Sequence, residues 1–347
     1  MLFQKLVLKW FDCFGRHSLP WQQNKTPYRV WVSEIMLQQT QVTTVIPYFE
    51  RFLTRFPDLA SLARAKEDEV LHVWTGLGYY SRARNLHRSA QIIQKDWQGI
   101  FPNQLEQVES LPGIGRSTAG AILSCAFNKK AAILDGNVKR LLARFHGLTD
   151  PIDDKKTLDR LWELAEEYTP SKRVADYSQV MMDLGATVCT PKNPRCSDCP
   201  LLSSCQAQQR GLVEQIPFKK KKAKLPVRKT TFLILQNKDR VLLQKRPSSG
   251  IWGGLWSLPE IPEKASLAQI KRHCLKQFQL EIKQGRTLKP FRHTFSHFHL
   301  EVHPVHLTLD RPLPKNMASQ TQIWYSLHRP KALGLPAPIL SLLGDLS

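Results

Sequence analysis

The 347-residue chain holds no run of about 18 apolar residues, which excludes a membrane-spanning helix. It is short of acid: 29 Asp and Glu face 50 Lys and Arg, a net charge of +21. Such an excess excludes little by itself, because a solvated basic surface is the plain alternative, but it favours a polyanionic partner such as nucleic acid. No repeat recurs at a fixed period, so a solenoid is not indicated. Beyond one cluster there are only three cysteines, Cys13, Cys125 and Cys274, in apolar or helical contexts that read as buried or incidental thiols. A disulfide scaffold is therefore excluded. Apolar residues near the N-terminus, Leu2, Phe3, Leu6, Val7, Trp10 and Phe11, have helical spacing, but Lys5, Lys9 and Asp12 interrupt them and make a poor signal peptide. The expected location is the cytosol.

What is present falls into three stretches. Residues 1 to 215 read as mostly helical, with punctuation at Thr26-Pro27, Phe56-Pro57, Gly76-Leu77-Gly78 and Leu111-Pro112-Gly113. Residues 216–229 form a basic linker: Ile216 to Thr230 carries seven positive charges, no negative ones and two prolines. It either stands in solvent or touches phosphate. Residues 230–347 read as an α+β domain, with strands at Thr231–Leu235 and Val241–Lys245 around a charged turn, a helix at Ser266–Phe278, and strands at His297–Leu307 and Gln322–Ser326.

Four cysteines, Cys189, Cys196, Cys199 and Cys205, follow the spacing C-x6-C-x2-C-x5-C. Four thiolates so close in sequence complete either a tetrahedral zinc site or a [4Fe–4S] cluster, and spacing alone does not choose. Lys192 and Arg195 lie on the loop between the first two, where metal-pinned ends would present them to phosphate. Leu111-Pro-Gly-Ile-Gly115 then opens a helix rich in small residues. Gly113 and Gly115 at a helix start leave backbone N–H groups free for an anion, the pattern of a helix–hairpin–helix that grips a DNA backbone; an ordinary tight turn is the alternative. Asp135 precedes an amphipathic run and reads as an N-cap, held in a fixed direction and ionised. Glu34 lies amid Val30, Trp31, Ile35, Met36 and Leu37 on a helix started by Thr26-Pro27. It sits either on a polar stripe or in an apolar pocket, where desolvation would keep it protonated for acid catalysis.

These motifs together resemble the endonuclease III superfamily of DNA glycosylases, and most closely its adenine glycosylase branch. Leu19-Pro-Trp21, Trp31 to Gln41, Gly76-Leu-Gly-Tyr-Tyr80, Leu134 to Arg140, Met182-Asp-Leu-Gly-Ala186 and Phe291 to His297 carry the likeness almost end to end. The resemblance implies a mainly α helix–hairpin–helix glycosylase followed by a C-terminal α+β Nudix-like domain. The glycosylase would comprise a six-helix barrel over about 28–133 and an iron–sulfur cluster domain from 1–27 plus 134–215. The resemblance implies one [4Fe–4S] cluster on the four cysteines, Glu34 as acid and Asp135 as the anion beneath the sugar, with Asn137 and Ser117 in support. Trp21, Leu37 and Gln179 would line an adenine pocket. Tyr79 would wedge into the stack, Gln39 and Thr40 would fill space near the estranged guanine, and Phe295, Ser296 and His297 would contact oxidised guanine. The implied partner is double-stranded DNA with adenine opposite 8-oxoguanine or guanine, bound by a monomer.

Ser117 stands where bifunctional relatives place a lysine nucleophile, and a hydroxyl cannot form the Schiff base of strand cleavage. Lys139 is near enough in sequence to trap an opened sugar adventitiously. Gly254 to Glu260 resembles the start of a Nudix box, yet Ala268-Gln269 stand where acidic metal ligands would follow, so a Nudix hydrolase is not expected. Two rival readings are a bifunctional glycosylase–lyase for oxidised pyrimidines and a non-enzymatic, cluster-bearing binder of damaged DNA.

Overall fold

Local capping chemistry starts the helices where the sequence punctuates them. A computed structural model describes residues 1–218, 224–309 and 321–346. Helix α1 (Leu2–Phe14) buries Phe3, Val7 and Phe11, one stripe at four-residue spacing. Thr26 caps α2 (Pro27–Leu37), its hydroxyl accepting the Arg29 N–H at 3.2 Å, and Pro27 sits in the first turn. Then come α3 (Val42–Arg55), α4 (Leu59–Arg64), α5 (Glu67–Trp74) and α6 (Ser81–Asp96). The short α7 (Leu105–Glu109) leads through the Pro-Gly turn into α8 (Arg116–Phe127). The helical series ends with α9 (Gly136–Phe145), α10 (Lys155–Tyr168), α11 (Val174–Thr187) and the single turn α12 (Gln206–Gln209).

The chain divides into two units, Met1–Arg64 with Asn85–Lys221, and Ala65–Arg84 with Lys222–Ser347. In the first, α8 packs on α2 and α11, and α11 packs on α1 and α9. Small residues permit the close approach expected of α8: a Cβ on Gly120 would lie 2.2 Å from the Ala132 carbonyl oxygen. Val7, Val138, Leu142, Leu161, Val180 and Leu184 meet in the core.

The second unit takes in α5, which the sequence reading placed in the helical barrel. Polar contacts explain the difference. Lys245 pairs with Asp68 at 3.1 Å, the His72 ring meets the Leu333 carbonyl at 3.2 Å, and the Tyr80 hydroxyl donates to Leu335 at 3.1 Å. The sheet contains β1 (Val227–Asn237), β2 (Arg240–Lys245), β3 (Trp256–Ser257), β4 (Glu260–Ile261), β5 (Ile282–Thr287), β6 (Phe291–Thr294), β7 (His299–Leu309) and β8 (Gln322–Ser326). Its path runs β3-β2-β1-β7-β5, with β4 on β1, β6 on β7 and β8 on β2. The β1–β7 pair is parallel and the others antiparallel, a mixed sheet. β1 starts inside the stretch read as linker, because Val227 to Thr230 pair with His299 to Val302; residues 219–223 of that stretch lie outside the described residues.

Helix α13 (Leu267–Phe278) begins at a Ser266–Gln269 capping box and buries Ile270, Cys274 and Phe278 against Leu233, Leu235 and Leu307. It carries no Asp or Glu. A last helix, α14 (Ala337–Gly344), follows β8. Among the described residues, no helix is long and apolar enough to cross a membrane.

Candidate active site

Helix α2 is buried on nearly every side by Val30, Trp31, Val32, Ser33, Ile35 and Met36. Its one carboxyl, Glu34, therefore opens not on a polar stripe but on a cavity of about 790 Å³, within the size range of ligand sites. Among the described residues no hydrogen bond or ion pair reaches that carboxyl. Burial, and next the nearby Asp135 charge, push Glu34 up to about 8.

Asp135 lines the same cavity from the start of α9. Its Oδ1 accepts the N–H groups of Asn137 (3.0 Å) and Val138 (2.8 Å), and its Oδ2 accepts the Asn137 side-chain amide at 3.3 Å. Burial raises its pKa, where the sequence reading had only the cap keeping it ionised. Those hydrogen bonds and Arg140 oppose the rise. The two carboxyls are thus unlike. Three donors and a helix N-terminus favour the charged form of Asp135, and among the described residues no hydrogen-bond donor does so for Glu34. The proton belongs on Glu34 and the charge on Asp135.

The neighbours of Asp135 are themselves fixed. Ser117 Oγ accepts the Leu134 N–H at 2.9 Å, holding the backbone one residue before it. Asn137 Oδ1 accepts from Arg140 Nη2 at 2.8 Å, and the same guanidinium reaches the carbonyls of Cys189 and Gly185 at 2.7 Å each. Gly185 must lack a side chain, since a Cβ there would lie 2.4 Å from Asn137 Cβ and 2.9 Å from its Cα. A Gly185→Ala variant should push Asn137 outward and lower the single-turnover rate of any reaction run in this cavity at least tenfold, while circular dichroism shows the helices intact. An unchanged rate would remove this packing from the account.

Trp21, Leu37, Gln39, Thr40, Asn137 and Gln179 line the same cavity. Trp21 is buried, edge-on to Phe49 at 5.6 Å. Gln39 is exposed with φ +56°, a left-handed turn unusual for glutamine, between α2 and α3. Trp21, Glu34 and Gln179 also wall a smaller pocket of about 120 Å³ that reaches Lys25, Cys125 and Asp176. In the hairpin, Gly113 has φ +78° and sits against Asn85, while Gly115 caps α8 in open surroundings.

All four clustered cysteines line one cavity with Leu141, Arg144 and Val213. Burial pushes Cys199 up to about 11 and shifts Cys196 and Cys205 the same way. Arg144 Nη1 approaches Cys189 Sγ at 3.4 Å. Among the described residues no three side chains close on one point as a single ion bound at about 2.3 Å would need. Of the loop cations, Lys192 is exposed, whereas Arg195 is tied to the Thr187 carbonyl at 2.8 Å and faces Asp198 at 3.7 Å.

The second unit has its own cavity of about 650 Å³, which brings together Tyr79, Phe295, Ser296 and His297. Tyr79 is exposed with φ +45°. Phe295 stacks on Phe298 at 4.7 Å and its N–H closes a tight turn to the Phe298 carbonyl, leaving Ser296 and His297 exposed at the tip.

Residues 32–167 match the HhH-GPD superfamily of base excision DNA repair proteins, and residues 230–344 match the NUDIX domain. The solved structure of a thermostable thymine-DNA glycosylase agrees with TM-score 0.56 at 27% identity, over 60% of this chain and 96% of that one. An endonuclease III–DNA complex gives 0.52 at 21% over 61% and 95%, a likeness of fold. Fold and site thus define a helix–hairpin–helix glycosylase joined to a Nudix-like α+β domain. Within that class the chain is 43% identical to the adenine DNA glycosylase of Buchnera aphidicola subsp. Acyrthosiphon pisum, over 99% of this chain and 97% of that protein. It is 33% identical to the human adenine DNA glycosylase over 90% and 68%. The chain belongs to the adenine DNA glycosylases.

Proposed function

We propose that this protein hydrolyses the N-glycosidic bond of adenine paired with 8-oxoguanine or guanine in duplex DNA, without an efficient lyase step. One observation carries the reading: two carboxyl groups of opposite character face one cavity, Glu34 without partners and Asp135 with three donors. That is the pairing glycoside hydrolysis needs, one acid and one anion.

The flipped adenine enters the cavity at a cost of a few kcal/mol, less for a mispair. Glu34 gives its proton to a ring nitrogen of the base, which leaves neutral. The sugar becomes oxocarbenium-like, and Asp135 balances that charge in surroundings too dry for water to do so. Glu34, now a carboxylate, takes a proton from the attacking water. Ser117 has no amine to offer, and its hydroxyl is engaged with Leu134.

Cys189, Cys196, Cys199 and Cys205 would hold a [4Fe–4S] cluster, which when bound would pin the loop carrying Lys192 and Arg195. Tyr79 and Phe295, Ser296 and His297 would meet the strand carrying oxidised guanine. The absence of acid from α13 supports recognition rather than hydrolysis by that domain.

The test uses duplexes with adenine opposite 8-oxoguanine, guanine or thymine, treated with hot alkali after incubation. Alkali-dependent nicks at adenine opposite the first two are expected. Nicks that appear before alkali, matched by quantitative borohydride trapping, would replace this reading with a lyase.

A further inference from the structure

Asp183 on α11 is fully buried, and its carboxylate is entirely taken up. Arg16 gives Oδ1 its Nε at 2.8 Å and its Nη2 at 2.7 Å, and gives Oδ2 its backbone N–H at 2.8 Å. One further donor arrives at Oδ1: the side-chain Nε2 of Gln179, at 2.7 Å. Gln179 is itself nearly buried and lines the cavity that holds Glu34.

An amide has a donor end and an acceptor end, and the two fill nearly the same space. A carboxylate held by three guanidinium and backbone donors can only accept. Asp183 therefore claims the donor end of Gln179. The acceptor end, Oε1, has no partner among the described residues, and it is left for whatever occupies the cavity.

We infer that the Arg16–Asp183 pair is a positioning device that turns the Gln179 carbonyl toward the bound base and so selects a purine with a 6-amino group over one with a 6-oxo group. The inference rests on the adenine-excision reading above and names what sets its selectivity. Glu34 in its protonated form donates, and Gln179 so oriented accepts. Adenine presents the complement along one edge, the N7 acceptor beside the N6 donor, whereas a 6-oxopurine presents two acceptors there. With the amide fixed, a carbonyl would face a carbonyl. A buried polar group left unpaired in this way discriminates far more strongly than a missing methylene.

The experiment compares single-turnover release of adenine, hypoxanthine and unsubstituted purine from otherwise identical duplexes opposite 8-oxoguanine. Unsubstituted purine carries neither group at position 6, so it reports general damage. In Asp183→Asn the partner can itself donate, and Gln179 is free to turn over. Relative to purine, adenine release should fall and hypoxanthine release rise, narrowing the adenine-to-hypoxanthine ratio at least tenfold. An equal change on all three bases, or an unchanged ratio in a folded protein, overturns the inference. Should Asp183→Asn not fold, Gln179→Met leaves the ion pair intact and must narrow the ratio by itself; a retained ratio there overturns it equally. Wild-type protein that releases no adenine would instead bring down the underlying reading.

Discussion

A Glu34→Gln variant should bind a mispair duplex as the parent does and release no adenine. Glutamine keeps the shape of the side chain and loses the transferable proton. The loss should appear in single-turnover rate, not in affinity, because the proton is used only as the bond breaks. Normal single-turnover release from the variant would end the acid assignment. The parent's rate should fall as pH rises through about 8, where the proposed acid Glu34 loses its proton, and should fall again at low pH as Asp135, whose pKa burial raises, takes one up. Stability follows the Glu34 proton. Between the ordinary carboxyl value of 4.5 and about 8, the folded state retains a proton that the unfolded chain has released. Folding therefore weakens as pH rises through this window. Glutamine does not titrate, so the inactive variant should have the higher Tm at pH 8 and lose that advantage near pH 4.

An Asp135→Asn variant should lose two to three orders of magnitude in rate, about the scale of removing one well-placed charge partner from a dry transition state. Asparagine is as good an N-cap as aspartate, and its carbonyl can still accept the N–H groups of Asn137 and Val138. Helix α9 should thus keep its cap, and the Tm should move by only a few degrees. That separates charge from structure: a collapse in Tm parallel to the rate would mark Asp135 as a structural cap, and an unchanged rate would remove it from the chemistry.

Much of this site could be read from the chain because its key residues sit at local structural signals. Asp135 is a cap before an amphipathic run, Gly113 and Gly115 open a helix, and the cysteines crowd together. The surroundings of Glu34 could not be read. Whether its face meets solvent depends on α8 and α11 packing on α2 and its neighbours, contacts some ninety to a hundred and fifty residues away. Asp183 and Gly185 escaped for a related reason. Their motif was visible as Met182 to Ala186, but a buried aspartate shows its partner only when Arg16 arrives from the other end of the unit, and a glycine shows its need only when Asn137 is seen against it. In the second unit β1 and β2 showed as short apolar runs, Phe232 to Leu235 and Val241 to Leu243, and β7 by the spacing of Leu300, Val302, Val305 and Leu307, whereas the two-residue β3 and β4 are too short for any pattern.

Helix α9 is a ruler with both marks in use. At one end its cap is the anion of the site; Arg140 and Arg144, one and two turns on, are fastened to the carbonyls of Cys189 and Thr190 beside the thiol cage. Ten residues span about 15 Å, and each residue turns the helix by about 100°. Insertion or loss of a single residue would swing the arginines away from the cysteine loop or swing the Asp135 carboxylate out of the cavity. Substitutions can drift along its surface, but its length and phase are locked.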